Sequence, residues 1–133
     1  MRVLIVDDDA GIRETLCVML RDEGYEVDEA ENGADALQRM WVASDPTVVL
    51  LDMWMPRMNG EDTLFAAEAH AALWNRLAFI VITANPQRLS ERARTLLDHA
   101  RIPLLVKPFD IDALVSAVRA AAAGLASASG RSV

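Results

Sequence analysis

The run Thr47-Val48-Val49-Leu50-Leu51-Asp52, continued by Met53-Trp54-Met55-Pro56-Arg57-Met58-Asn59-Gly60, decides the fold. A short, β-branched run with no charge until its end reads as a strand buried on both faces, the kind found in parallel sheets. Its last residue is a carboxylate. Open parallel sheets gather their ligands at the carboxyl edge, so Asp52 is the candidate reactive group. An aspartate that only caps the following turn is the other reading of this stretch by itself.

Working outward, the same grammar recurs. Arg2-Val3-Leu4-Ile5-Val6 is a second buried run and stops at Asp7-Asp8-Asp9. Three adjacent carboxylates repel one another, and the last can cap the helix that follows, where free amides favour negative charge. That helix spans about Ala10 to Asp22, with Ile12, Leu16, Met19 and Leu20 inward and Gly24 as its stop. Tyr25 to Ala30 is a weaker, alternating strand suited to a sheet edge. After the Asn32-Gly33 turn, Ala34 to about Ala43 forms a helix that buries Leu37 and Met40, with Trp41 as a further candidate for burial.

Beyond Gly60 one helix carries Leu64, Phe65, Ala69 and Leu73 to about Trp74, and Leu77 to Ile82 is a fourth strand ending at Thr83-Ala84. Asn85-Pro86 reads as cap and first turn of a helix to about His99, with Leu89, Ala93, Leu96 and Leu97 inward. Pro103 to Val106 is the fifth strand, stopping at Lys107-Pro108-Phe109. Asp110 caps a last helix on Leu114, Val115, Val118 and Ala122 that is expected to fade at Gly124. Residues 125–133, with Ala-Ser-Ala-Ser-Gly, read as a flexible tail or the start of a linker after a domain of 1–124.

Strands alternating with helices predict an α/β, doubly wound, five-stranded parallel sheet of order 2-1-3-4-5, flavodoxin-like in architecture. In that order the first and third strands are neighbours, so Asp7, Asp8 and Asp52 converge, with Thr83 and Lys107 ending the next two strands at the same edge. Three carboxylates in one crevice call for a cation, and hard oxygen donors suit magnesium. A site of this kind fits phosphoryl transfer to Asp52, an ionised carboxylate that needs no general base, with Thr83 and Lys107 on the phosphoryl oxygens. His70 and His99 fall on helices away from the strand ends, and Met53, Met55 and Met58 read as packing residues.

Length and charge narrow the alternatives. The chain has 133 residues and 53% hydrophobic composition, which suits one domain, and shows neither a membrane-length apolar run nor a signal-peptide layout. A cytoplasmic protein without membrane contact is expected. A net charge of -7 argues against direct nucleic-acid contact by this domain. The single cysteine, Cys17, lies among apolar helix positions and reads as a core residue.

Val6-Asp7-Asp8-Asp9, Leu51-Asp52-Met53-x-Met55-Pro56-x-Met58-x-Gly60, Ile82-Thr83-Ala84 and Lys107-Pro108-Phe109 together resemble the receiver domain of two-component response regulators. The resemblance covers about residues 1 to 124, with every strand-end motif in order. It implies that Asp52 accepts a phosphoryl group from a phosphohistidine on a sensor histidine kinase or histidine phosphotransfer protein. It also implies magnesium, with manganese able to substitute, held by Asp8, Asp52 and the Trp54 backbone carbonyl, and Asp7 acting through water. Thr83 and Lys107 would bind phosphoryl oxygens, the Lys107-Pro108 peptide would be cis, and Trp54, Ala84 and Asn85 would govern access. Such a domain is a signalling module that catalyses only its own phosphotransfer and dephosphorylation. Its output is the face of the fourth helix, fifth strand and fifth helix, with room for a homodimer on phosphorylation.

Two positions depart from the pattern. Leu104 stands where many receivers have an aromatic switch residue that works with Thr83, and Trp54 puts a large ring beside the acceptor. That ring either overhangs the site or folds back toward Met55 and the third helix. The rival from another class is a haloacid-dehalogenase-like phosphatase with Asp7 as nucleophile and Asp9 as acid/base; its pattern wants a hydroxyl residue at Gly11. A flavin-binding module lacks a Ser-, Thr- and Gly-rich phosphate loop, and a scaffold without phosphorylation would not need the complete set of site residues. Because the first strand starts at Arg2, any output domain is expected after the tail.

Overall fold

The computed structural model describes residues 1–130. Its elements are β1 Arg2–Val6, α1 Ala10–Asp22, β2 Glu26–Ala30, α2 Gly33–Val42, β3 Thr47–Asp52, α3 Gly60–Glu68, α4 Ala71–Trp74, β4 Leu77–Thr83, α5 Glu91–His99, β5 Leu104–Val106 and α6 Ile111–Gly130. The strands form one sheet in the order β2-β1-β3-β4-β5, all pairs parallel, as the alternation of strands and helices requires. Alternate residues of each strand face opposite layers, so the sheet separates two cores. Val6, Leu51 and Val81 pack with Met40, Leu64 and Leu97 on one side, while Ile5, Leu50 and Ile80 pack with Leu16, Leu20, Leu114 and Val118 on the other. Every residue of β3 is buried, which explains why its sequence lacks the alternation of a half-exposed strand.

Register then places the chemistry. Val6 pairs with Leu51 and Asp52 with Ile82, so the residues that follow β1, end β3 and end β4 meet at one carboxyl edge. Cys17 is buried as expected; burial first, and the Glu29 carboxylate second, push its thiol up to about 11.

Five local expectations are corrected. The helix after Gly60 is two helices, because His70 takes an extended conformation (φ -121°, ψ 100°) that re-aims the chain and buries Leu73 in α4. Ala67, not Ala69, faces the core there. Trp41 is 49% exposed, with His70 edge-on to its ring at 5.1 Å between centroids, and so belongs to the surface. Asn85 does not cap a helix with its side chain; Pro86–Arg88 is a single 3-10 turn, and Ser90 caps α5 by accepting from the Ala93 amide at 3.0 Å. The last helix runs through Gly124 to Gly130, since its alanine-rich sequence favours helix and Leu125 is buried. Residues 125–130 are therefore helical and not a loose tail, while 131–133, also assigned to that tail, lie outside the described residues.

Candidate functional site

Each carboxylate at the sheet edge is fixed by its own strand-to-helix turn. The Asp7 amide donates to the Ala30 carbonyl at 3.1 Å, continuing the ladder one residue past β1, and its Oδ1 accepts from the Asp9 amide at 2.9 Å. Asp9 is spent on capping α1, where its Oδ1 accepts from the Gly11 and Ile12 amides at 2.9 and 3.2 Å. Arg13 adds a restraint that sequence reading missed: its Nη1 donates to the Asp7 carbonyl at 2.7 Å while its Nε reaches Glu29 at 3.3 Å. An arginine one turn into a helix reads as surface until the topology brings β2 beside it.

Asp52 ends β3 with 5% exposure, and the Trp54 amide donates to its Oδ1 at 3.3 Å. Carboxylate oxygens of Asp7, Asp8 and Asp52 all lie within 4.8 Å of one another, Asp7 and Asp52 buried and Asp8 open to solvent. One ammonium answers them. Lys107 Nζ donates to Asp7 Oδ2 at 3.1 Å and stands 3.5 Å from Asp52 Oδ2. Burial, then the Asp7 charge, push the Asp52 carboxyl up to about 6, against the pull of Lys107 and the Trp54 amide. For Lys107, burial works against the ammonium, but the Asp52 and Asp7 carboxylates outweigh it and hold its pKa above the ordinary lysine value.

Thr83 is fully buried at the end of β4, its Oγ1 accepting from the Asn85 amide at 3.1 Å, and the Lys107 amide donates to its carbonyl at 2.8 Å. The Lys107-Pro108 peptide is cis. Ala84 is exposed and Asn85 half-buried beside Thr83, and Leu104 lies on β5 opposite Val81 with 37% exposure. The Trp54 ring is half-buried against the apolar cluster that holds Met53, Met55 and Leu64, and the Arg88 guanidinium covers it 4.7 Å from the ring centroid. His70 and His99 stand at helix ends, away from these strand ends.

Gly60 closes the loop that follows β3. Its amide donates to the Met53 carbonyl at 3.1 Å, and a Cβ there would meet the Asp52 carbonyl oxygen at 2.5 Å and Met53 Cα at 2.6 Å. Both neighbours are backbone and cannot swing aside. Gly60→Ala is therefore expected to cost about 1–3 kcal/mol by overpacking and to displace the Asp52 carboxylate. Urea unfolding of the two proteins checks this, and equal stability would show that the loop yields without cost.

The donor set is all oxygen, carries three carboxylates against one ammonium, and leaves Asp8 open on the solvent side, which is a fit for a hard divalent cation. A model of the response regulator receiver domain matches residues 3–119. The chain belongs to that family. This receiver domain is 42% identical over 122 residues to the transcriptional regulatory protein PdtaR of Mycobacterium tuberculosis, a match covering 90% of this chain and 56% of PdtaR. It is 37% identical over 121 residues to the response regulator MprA of Mycobacterium avium, covering 90% of this chain and 50% of MprA. The chain thus spans about half the length of these curated relatives. Among solved structures, the response regulator TrrA of Thermotoga maritima, in complex with Mg(2+)-BeF, superposes with a TM-score of 0.76 at 32% identity, over 90% of this chain and 97% of that one.

Family membership and the capping role of Asp9 set the phosphatase reading aside, since its acid/base candidate is already engaged with two backbone amides. The receiver domain is a signalling module and not a conventional enzyme. Among the described residues, no helix is long and apolar enough to cross a membrane.

Proposed function

We propose that Asp52 is the phosphoacceptor of a two-component signalling pathway and that a sensor histidine kinase or a histidine phosphotransfer protein is the donor. The observation that carries the reading is the buried Asp52 carboxylate flanked by Asp7, Asp8 and Lys107 at the edge where Thr83 also ends its strand. In the reaction an Asp52 oxygen forms a bond to phosphorus as the donor's N–P bond breaks. Lys107 and the Thr83 hydroxyl hold phosphoryl oxygens, and the departing imidazole takes its proton from solvent or donor. Asp7, Asp8, Asp52 and the Trp54 carbonyl would hold magnesium, with manganese able to replace it, and the ion would neutralise charge on the transferring group. Loss of the phosphoryl group by water attack would be the domain's own second reaction, with Trp54, Ala84 and Asn85 lining the approach.

The readout belongs to α5, β5 and α6, the fourth and fifth helices of the sequence reading with the strand between them. Leu104, Val106 and Ile111 are exposed there and offer a face for homodimer formation on phosphorylation. A cytoplasmic setting follows from the proposed donors, and the net charge of -7 keeps this domain itself off DNA.

Asp8 gives the test. It is the exposed member of the triad, so Asp8→Asn should abolish magnesium binding, slow phosphorylation by a small donor at least tenfold, and leave metal-free stability equal or higher because repulsion is relieved. Calorimetric titration with magnesium and thermal melts in chelator report both. Retained magnesium affinity would contradict the assignment, and a large loss of metal-free stability would make Asp8 a structural residue.

A further inference from the structure

Between the loop after β3 (residues 53–59) and the loop after β4, the Arg88 guanidinium lies on the Trp54 indole at 4.7 Å. Arg88 ends the 3-10 turn, its amide bonded to the Asn85 carbonyl at 3.2 Å. At the near end of this segment the Asn85 amide holds Thr83 Oγ1 at 3.1 Å. At the far end Leu89 is buried, and Arg94 donates to the Pro86 carbonyl at 2.8 Å and the Leu89 carbonyl at 3.3 Å. Arg88 therefore sits on a short segment anchored at both ends, with the Thr83 hydroxyl at one of them. Opposite it, the Trp54 amide is bonded to the Asp52 carboxylate, while its indole Nε1 is enclosed without a hydrogen-bond acceptor.

A buried donor without a partner is a cost carried by this conformation, and a cation over the ring is an attraction that keeps the ring there. We propose that Arg88 is a positioning residue that clamps Trp54 in the resting arrangement and releases it when Thr83 is drawn toward a group on Asp52. This inference rests on the phosphoacceptor reading. The clamp favours the resting state, so by linkage its removal must favour the occupied one.

Indole 1H–15N spectra of the full chain separate the outcomes, because the chain has three tryptophans and Trp54→Phe assigns the relevant resonance. Arg88→Met should shift the Trp54 indole peak in the metal-free protein and leave those of Trp41 and Trp74, whereas Arg88→Lys, which restores a cation, should return it most of the way. Magnesium with beryllofluoride, the combination in the TrrA structure, should move the Trp54 peak in wild type and not in Thr83→Ala. Its apparent affinity should be about two- to fivefold tighter in Arg88→Met, the size of an exposed cation–π contact. A merely structural Arg88 would weaken it. An unmoved Trp54 peak in Arg88→Met, or unchanged or weaker beryllofluoride binding, would overturn the clamp. Failure of beryllofluoride to perturb even the Asp52 to Trp54 backbone amides of wild type would instead overturn the phosphoacceptor reading, and the clamp with it.

Discussion

Lys107→Met should lower the stability of the metal-free protein at neutral pH by about 2–4 kcal/mol, among the largest effects of any single change at the site. The substitution keeps the length of the side chain and removes the ammonium that stands 3.1 Å from Asp7 and 3.5 Å from Asp52. Asp7 and Asp52 are both buried, and breaking such a cluster from one side leaves charge without compensation. The loss should be pH-dependent. Lys107 pulls the Asp52 carboxyl down, so without it Asp52 holds its proton to still higher pH, and the deficit should shrink on acidification. Magnesium should also recover part of it. Urea unfolding at neutral and mildly acidic pH, with and without magnesium, measures all three; a deficit independent of pH and metal would mean that the methionine simply packs badly.

Asp52→Asn should do the reverse. In the folded protein the Asp52 carboxyl titrates at about 6 rather than 3.8, so between those values the folded state binds more protons than the unfolded chain. Stability must therefore fall as pH rises through this window and stay reduced above it, by roughly 2–3 kcal/mol at 1.36 kcal/mol per unit. Asparagine removes the term. The variant is expected to be the more stable protein at neutral pH in chelator, with a flatter stability profile between about pH 4 and 6. Wild type gaining stability across that interval would show that Asp52 is not held in its protonated form by burial.

These effects concentrate on residues that the sequence names by position. Asp7, Asp8, Asp52, Thr83 and Lys107 are legible because each ends an apolar run, and parallel strands joined by crossover helices bring every such end to one edge. Asp9 is legible for the same local reason, as a cap three residues before a periodic helix face. What escaped depends on tertiary contact. Arg13 reaches the Glu29 carboxylate only because β2 lies beside β1, and Arg88 meets Trp54 across two loops with no periodic relation between them. Glycine signals divide on conformation: Gly24 adopts φ +96° and ends α1, whereas Gly124 continues the helix. In sequence the two look alike. The turn after Thr83 is not legible because Asn85-Pro86 has the composition of a helix start, yet the chain re-extends at Leu89 (φ -65°, ψ 138°) before Ser90 restarts it.

The central claim is that Asp52 carries the phosphoryl group, and intact-protein mass spectrometry after incubation with a small phosphodonor and magnesium tests it most directly. Wild type should gain the mass of one phosphoryl group, stable in acid and lost in base, and Asp52→Asn should gain none. Equal labelling of the two proteins, or labelling abolished by Asp7→Asn while Asp52→Asn is still modified, would contradict the account.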